Sequence, residues 1–240
     1  MHLYAIIFLK GDVFMKKILS LVLAIIMLVG LCSCLRDNED DNVRGDIVTQ
    51  TSSESENEPE SEPEFSLGKT ANNVYNNDFL GLSCTLSDEW TFYTDEEILQ
   101  LNNLTAELVD EEIAQSLENA NIIYDMYAVQ ADGSNININL EKLNALQLIS
   151  LDIKETLESQ IDTIKTAFEG IGYTDINAKY QKVTVDGKEF DALVYDAKIQ
   201  GIDFYGTVIT FRKGNYLANI TVSSLQTDKT NEIFSCFTVK

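Results

Sequence analysis

The chain has 240 residues, 45% of them hydrophobic, and sets 17 Lys and Arg against 39 Asp and Glu for a formal net charge of −22. A surface this acidic repels phosphate backbones, which proteins hold through Lys and Arg, and so excludes nucleic acid as a partner. The one histidine, His2, lies in an N-terminal leader, so the mature chain has none, and Ser-His-Asp, Cys-His and His-based zinc chemistry are excluded with it.

Met1 to Phe14 form an apolar stretch broken by Lys10, and Met15-Lys16-Lys17 then opens the positive n-region of a signal peptide. Residues 1–14 therefore read as a mis-assigned start, with translation beginning at Met15. Codons for Lys10-Gly11-Asp12 can supply a purine-rich ribosome-binding core just upstream.

From Ile18 to Cys32 only Ser20 interrupts an apolar run. It suits the roughly 7–15 residues of a signal h-region and falls short of the ~20 that span a bilayer. The run ends in Leu31-Cys32-Ser33-Cys34, which resembles the bacterial lipobox, with a small Ser before the acceptor thiol. Cys32 is a poor acceptor, because bulky Leu31 occupies the small-residue position.

Residues 15–33 are thus read as a lipoprotein signal peptide, cut before Cys34 once diacylglycerol is joined to its sulfur as a thioether. At about 0.8 kcal/mol per buried CH₂, two acyl chains anchor durably where one is marginal. The expected location is the extracytoplasmic face of the cell membrane. The membrane, reached through lipid on Cys34, is one expected partner, and a protein or envelope ligand is the other. Loss of Lys10, Lys16, Lys17 and Asp12 with the first 34 residues takes the net charge from −22 to −24. The lipid rather than the acidic domain must therefore hold the membrane.

Residues 34–66 read as an acidic disordered tether. Ser, Glu, Asn and Asp dominate, both prolines (Pro59, Pro63) lie here, and too little apolar surface is present to offset ordering entropy. Like charges keep such a stretch extended as a spacer. Residues 67–240 remain for a single globular domain with one core.

The domain opens with a hairpin of Val74 to Asn76 and Leu82 to Leu86, followed by Trp90 and Phe92. Thr94-Asp95-Glu96-Glu97 is a capping box that starts a short helix through Ile98 and Leu101. Asp110-Glu111-Glu112 starts another through Ile113 and Leu117. Ile122 to Val129 and Asn135 to Glu141 read as strands about an Asp132-Gly133 turn.

Asp152 to Glu169 carries Ile153, Leu157, Ile161, Ile164 and Phe168 at helical spacing on one side and charges on the other, with Gly170 and Gly172 ending it. Four strands follow in meander, Ile176 to Val185, Glu189 to Lys198, Asp203 to Lys213 and Tyr216 to Ser223, each turn holding a Gly. A helix from Asp228 to Ser235 closes the chain. The fold class this predicts is α+β, a central antiparallel sheet covered by helices.

Tyr75-Asn76-Asn77-Asp78-Phe79-Leu80-Gly81-Leu82, then Leu86-Ser87-Asp88-Glu89-Trp90 and Asp95-Glu96-Glu97, resemble the opening of small lipoproteins from Gram-positive anaerobic bacteria. The element order over residues 70–240 is similar to the PsbP-like and DcrB-like α/β/α sandwich. Two departures stand out: Ser87-Asp88-Glu89 replaces the family's Pro-x-Gly before the tryptophan, and Cys84 occupies a place usual for a larger apolar residue. The resemblance implies an architecture and carries over no functional residue.

Few residues suggest chemistry. Cys84 and Cys236 can form a disulfide in an exported domain, or serve as small buried hydrophobes in their apolar segments. Asp95, Glu96 and Glu97 could pair with Asp110, Glu111 and Glu112 around calcium, but helix N-terminal acids facing water account for them more simply. Asp132-Gly133-Ser134-Asn135 lacks the ligand series of a calcium loop. Trp90, Tyr124, Tyr127, Tyr195, Tyr205 and Tyr216 could line a partner surface, although strand aromatics belong more often to a core.

No catalytic residue, metal or cofactor is expected. The functions in order of expectation are a non-enzymatic binding or interaction module, an accessory subunit of an envelope transport or secretion complex, and a carboxylate-dependent hydrolase.

Overall fold

The computed structural model describes residues 65–102 and 122–240. Cys34, the signal peptide, nearly all of the tether and the helix expected from Asp110 lie outside the described residues.

Two antiparallel sheets face each other. The smaller, in the order β1-β2-β3-β11, comprises Lys69–Ala71, Val74–Asn77, Leu82–Thr85 and Phe237–Val239. The larger, in the order β4-β5-β6-β10-β9-β8-β7, comprises Trp90–Phe92, Ile122–Gln130, Asn135–Lys142, Tyr216–Leu225, Ile202–Lys213, Lys188–Ile199 and Tyr173–Val185. Helices α1 (Asp95–Leu101), α2 (Ala145–Ser150), α3 (Ile153–Gly170) and α4 (Thr230–Phe234) complete the described elements.

The chain lays down β4, β5 and β6, crosses through α2 and α3 to the far edge at β7, and walks back by hairpins until β10 pairs with β6. Two-residue turns make that return tight. Asp186 and Gly187 both have positive φ, as do Gln200 and Gly201, which is the backbone twist that joins right-twisted strands without splaying them.

Period-two alternation divides the core. On one face of the large sheet Ile123, Met126, Ile136, Ile138, Leu140, Ile209, Ile220 and Val222 pack against Tyr75, Leu82, Cys84 and Phe237 of the small sheet, and against Ile233 and Phe234 of α4. On the other face Leu157, Ile164 and Phe168 of α3 pack on Tyr173, Leu193, Tyr195, Phe204 and Val208. A β-bulge between Thr174 and Asn177, with Asp175 at φ 53°, shifts the alternation so that Tyr173 joins the α3 side while Val183 and Val185 face the small sheet.

The α+β class stands. The cover differs from expectation: one face of the large sheet lies mainly under a second sheet, and the long helix packs mainly on the β7–β9 end of the other, meeting β10 and β6 near Leu217, Asn219 and Glu141. The reason is non-local. β11 returns to pair with β3, Phe237 opposite Cys84, and no local pattern encodes that partnership. β1 rests on an Asn72-Asn73 turn with both residues at positive φ. α2 has an Asn144–Gln147 capping box, yet Leu146 and Ile149 face water, so it lacks the buried stripe that marks α3.

The α3 contact is an aromatic cluster. Phe168 lies 4.8 Å from the Tyr173 ring, 5.2 Å from Tyr195 and 6.0 Å from Phe204 between centroids. Phe168→Ala is expected to cost about 3–5 kcal/mol, since it removes the buried ring and leaves a cavity that rigid neighbours cannot fill. Urea denaturation of the purified variant measures this; a loss below about 1 kcal/mol would show that α3 is not anchored by this cluster.

Candidate functional site

The most distinctive chemistry lies where β5 bulges. Between Tyr124 and Met126 the register with β6 slips by one residue, and the extra residue is Asp125. The bulge turns its carboxylate, 5% exposed, toward the small sheet. Three donors meet it there: the Tyr75 hydroxyl, the Asn77 side-chain Nδ2 at 2.7 Å and the Gly68 backbone N–H at 2.6 Å. Asn77 in turn accepts from the Leu80 backbone N–H at 2.8 Å. Gly68 must be glycine, because a Cβ there would lie 2.1 Å from the Tyr75 ring.

Burial raises the Asp125 pKa above its ordinary range, and the three hydrogen bonds oppose that rise without cancelling it. Burial, reinforced by the Asp125 charge, holds the Tyr75 phenol well above its own.

Beside this clamp runs a groove of about 530 Å³, within the roughly 300–1,000 Å³ of small-molecule sites. Phe65 to Thr70 form one wall, Tyr93, Asp95, Ile98 and Leu99 another, and Asp125 to Tyr127 its base. Asn102 at the end of α1 holds β5 at this point. Its side chain donates to the Tyr124 carbonyl and accepts from the Tyr124 N–H, both at 2.8 Å, in place of a neighbouring strand.

Behind Tyr127 the sheet face turns polar. Tyr124 and Tyr127 on β5, Asn135, Asn137 and Asn139 on β6, Asn219, Thr221 and Ser223 on β10 and Thr210 on β9 share one face, and all are buried. Thr210 donates to Asn219 at 2.8 Å, Asn219 to Asn139 at 3.2 Å, and Asn135 to Ser223 at 2.6 Å. The hydroxyls of Tyr124 and Tyr127, Nδ2 of Asn137 and Oδ1 of Asn135 have no partner. Each such group costs about 1–3 kcal/mol when left dry and unpaired. Where the row passes under α3, a cavity of about 10 Å³ beside Gln160, Thr210 and Asn219 offers room for about one water.

The residues singled out in the sequence are scattered. Thr94 and Glu97 cap α1, and Asp95 and Glu96 face water. Asp110 to Glu112 lie outside the described residues, and among those described no group of three or more His, Cys, Asp or Glu could hold a metal. Asp132 accepts from the Ser134 N–H at 2.9 Å and pairs with Lys229 at 2.6 Å, so it serves a turn. Tyr195 and Tyr216 are core, and Trp90 and Tyr205 are half-buried. Only Tyr124 and Tyr127 reach the polar face.

Cys84 and Cys236 are free thiols, so the possible disulfide is not formed here. They remain close in the fold, since Cys84 pairs with Phe237 and the Thr85 N–H donates to the Cys236 carbonyl. Cys84 instead fills the small-sheet core as an apolar side chain.

Asp125 and the asparagine row were not singled out in the sequence as site residues. The signal for the row is Asn135-Ile136-Asn137-Ile138-Asn139-Leu140, a strict alternation that reads as a water-facing strand until the asparagines are found buried. Asp125 leaves no signal, because its placement depends on a bulge.

No family model matches the chain, and no curated protein matches it. Among solved structures, a protein from Bacteroides thetaiotaomicron VPI-5482 is 10% identical with a TM-score of 0.36, over 67% of this chain and 45% of that one. LpqN, involved in cell envelope biogenesis of Mycobacterium tuberculosis, is 8% identical with a TM-score of 0.37, over 66% of this chain and 83% of that one. The chain thus spans less than half of the first protein and most of the second, and likeness this low transfers neither a function nor a fold family.

Removing the carboxylate strands three donors in the core, so Asp125→Ala is expected to cost about 3 kcal/mol near pH 7. The folded-state pKa lies above the ~3.9 of an unfolded chain. The part of the wild-type advantage set by ionisation is therefore full below ~3.9 and is lost as pH rises through the folded value, and the cost near pH 7 is what the three stranded donors leave. Urea titrations across acidic pH should show the wild-type advantage over Asp125→Ala shrinking as pH rises; an advantage that grows instead would contradict the raised pKa.

The thiols give a second check. Burial raises both, Cys84 the more, so native alkylation should modify Cys236 first and Cys84 only after unfolding. Peptide mass mapping over a time course reads the order, and equal rates would contradict the buried position of Cys84.

Proposed function

We propose that this protein is a lipid-anchored lipoprotein of the extracytoplasmic membrane face whose domain is a non-enzymatic binding module. The observation that carries the binding part is the groove of about 530 Å³ beside the Asp125 clamp, lined by Tyr93 and Tyr127. The lipobox-like Leu31-Cys32-Ser33-Cys34 supports the anchor, and kinship with PsbP-like lipoprotein domains belongs to the same proposal. Among the described residues no helix is long and apolar enough to cross a membrane.

The arrangement favours binding over catalysis. A general acid or base must be held at a substrate and free to exchange a proton with it; of the two carboxylates at the groove, Asp125 is committed to three donors of its own chain and Asp95 faces water at the start of α1. The hydrolase expectation draws no support from the described residues.

One observation favours the second reading, an accessory subunit of an envelope transport or secretion complex. Leu146 and Ile149, 73% and 87% exposed, lie three apart on one side of α2, where they would suit a protein contact.

Crosslinking pull-down from intact cells, native protein against Cys34→Ala, tests these readings. The native form is expected in the membrane fraction with a diacylglyceryl mass on Cys34, and the variant, which cannot be lipidated and so is not cut, is expected to keep its signal peptide. A native form without that mass, or a variant cut like the native one, overturns the lipid anchor. A soluble or wall ligand captured by both forms supports the binding module, and one stoichiometric membrane partner lost with the lipid supports the accessory subunit.

A further inference from the structure

We propose that β1 is a docking edge: an extended, basic peptide segment of a partner protein adds as a strand along β1 and lays alternate apolar side chains in the groove beside it. This deepens the binding-module reading and rests on it.

The backbone of β1 has a free side. β1 is the outermost strand of the small sheet, paired with β2 alone, and Lys69, Thr70 and Ala71 are all exposed. Asn72 and Asn73, both at positive φ, form a two-residue turn, so Ala71 and Val74 on either side of it make a hydrogen-bonded pair. Antiparallel ladders alternate such pairs with pairs that exchange no bond. Thr70, opposite Tyr75, is therefore the residue whose N–H and C=O point away from β2, and neither finds a backbone partner among the described residues.

A short edge strand is by itself a common way to end a sheet. This one borders the groove of about 530 Å³: Lys69 and Thr70 lie in its lining with Phe65, Leu67, Ile98, Leu99 and Met126. Main-chain bonds to Thr70 supply affinity, and the groove receives every second side chain of the added strand, the division of labour in strand addition. A free apolar molecule would use the groove and leave Thr70 unmet.

The edge is also fixed in advance. The Gly68 amide, directly before β1, donates to Asp125 at 2.6 Å, and Gly68 lies against the Tyr75 ring. Little ordering of this wall is left for the peptide to supply.

Charge selects the peptide. Lys69 is the one cation among the described residues of the lining. Against it stand three exposed acids: Asp95 in the lining, Glu96 next to it, and Asp88, which accepts from Asn73 at 2.6 Å at the turn end of β1. With a chain at −22 behind them, they favour Lys or Arg beside the peptide's apolar residues and disfavour an acidic peptide.

The test is capture of short synthetic peptides, with Val, Leu, Phe or Tyr alternating with Thr between terminal lysines, on the full mature protein in detergent. Calorimetric titration of the retained peptides follows. At least one is expected to bind, its backbone N-methylated form is expected not to, and its Glu-ended form is expected to bind more weakly. Thr70→Pro removes only the outward N–H, on an edge strand that tolerates proline, and is expected to weaken binding tenfold or more. Tenfold is about 1.4 kcal/mol, the scale of one net hydrogen bond. Should Thr70→Pro fail to fold, Leu99→Gln, which takes apolar surface from the groove, is expected to weaken binding likewise, and the N-methylated peptide needs no variant.

Equal binding of the plain and N-methylated peptides, binding that Thr70→Pro leaves unchanged, or retention of no peptide overturns the docking edge. Sedimentation of the wild type as a dimer that Thr70→Pro turns into a monomer overturns it too, since the added strand is then a second copy's. If the peptides fail while the pull-down captures a ligand with both the native protein and Cys34→Ala, the binding module stands without this edge. If both fail, neither stands.

Discussion

The Asp125 carboxylate is the constraint on which the arrangement of the domain depends. It belongs to the large sheet by sequence and to the small sheet by hydrogen bonding, because the bulge in β5 turns it out of the ladder toward Tyr75 and Asn77 of β2 and the Gly68 amide ahead of β1. Apolar contact alone would let two sheets slide across each other at little cost, since it is non-directional. A buried carboxylate that must keep three donors fixes their relative position. Gly68 is bound by the same geometry, pressed under the Tyr75 ring where no side chain fits. The strand opening, the glycine and the hydroxyl form one device that holds the Phe65–Thr70 wall of the groove against β5.

The two faces of the large sheet solve the burial problem differently. Toward the small sheet, alternation supplies Ile, Val, Leu and aromatic side chains, and polarity enters mainly through the paired clamp. On the opposite face the β7–β9 end has the apolar contacts that α3 needs, while the β5, β6 and β10 end has amides and hydroxyls. An apolar residue at Asn137 would leave no unpaired amide nitrogen but would remove the oxygen that accepts from Asn139 at 3.5 Å. The row is thus only partly paired, which distinguishes it from the clamp, where every donor named has its acceptor.

How much of this the sequence discloses follows from which interactions are local. The stripe of α3, the Thr94–Glu97 capping box, the return of β7 to β10 and the Gly turns are encoded within a few residues of where they act, and they are legible. β1, β11 and the small-sheet cover depend on partners far along the chain, as with Phe237 opposite Cys84, and are not. α2 shows that a cap without a buried stripe is a weak signal, because its Leu146 and Ile149 point to water. For the site, Tyr124 and Tyr127 were visible as aromatics but not separable from core residues such as Tyr195.

The asparagine row shows why alternation is ambiguous. Asn-Ile-Asn-Ile-Asn-Leu states that two faces differ and leaves open which environment meets the polar one. Water would satisfy every amide at no cost; burial makes each one answer to a neighbour. Once the face is known to be buried, the count of partners becomes information: Asn219 and Asn139 are linked across β10 and β6, Asn135 spends its donor on Ser223, and the Tyr124 and Tyr127 hydroxyls, Asn137 Nδ2 and Asn135 Oδ1 are left over.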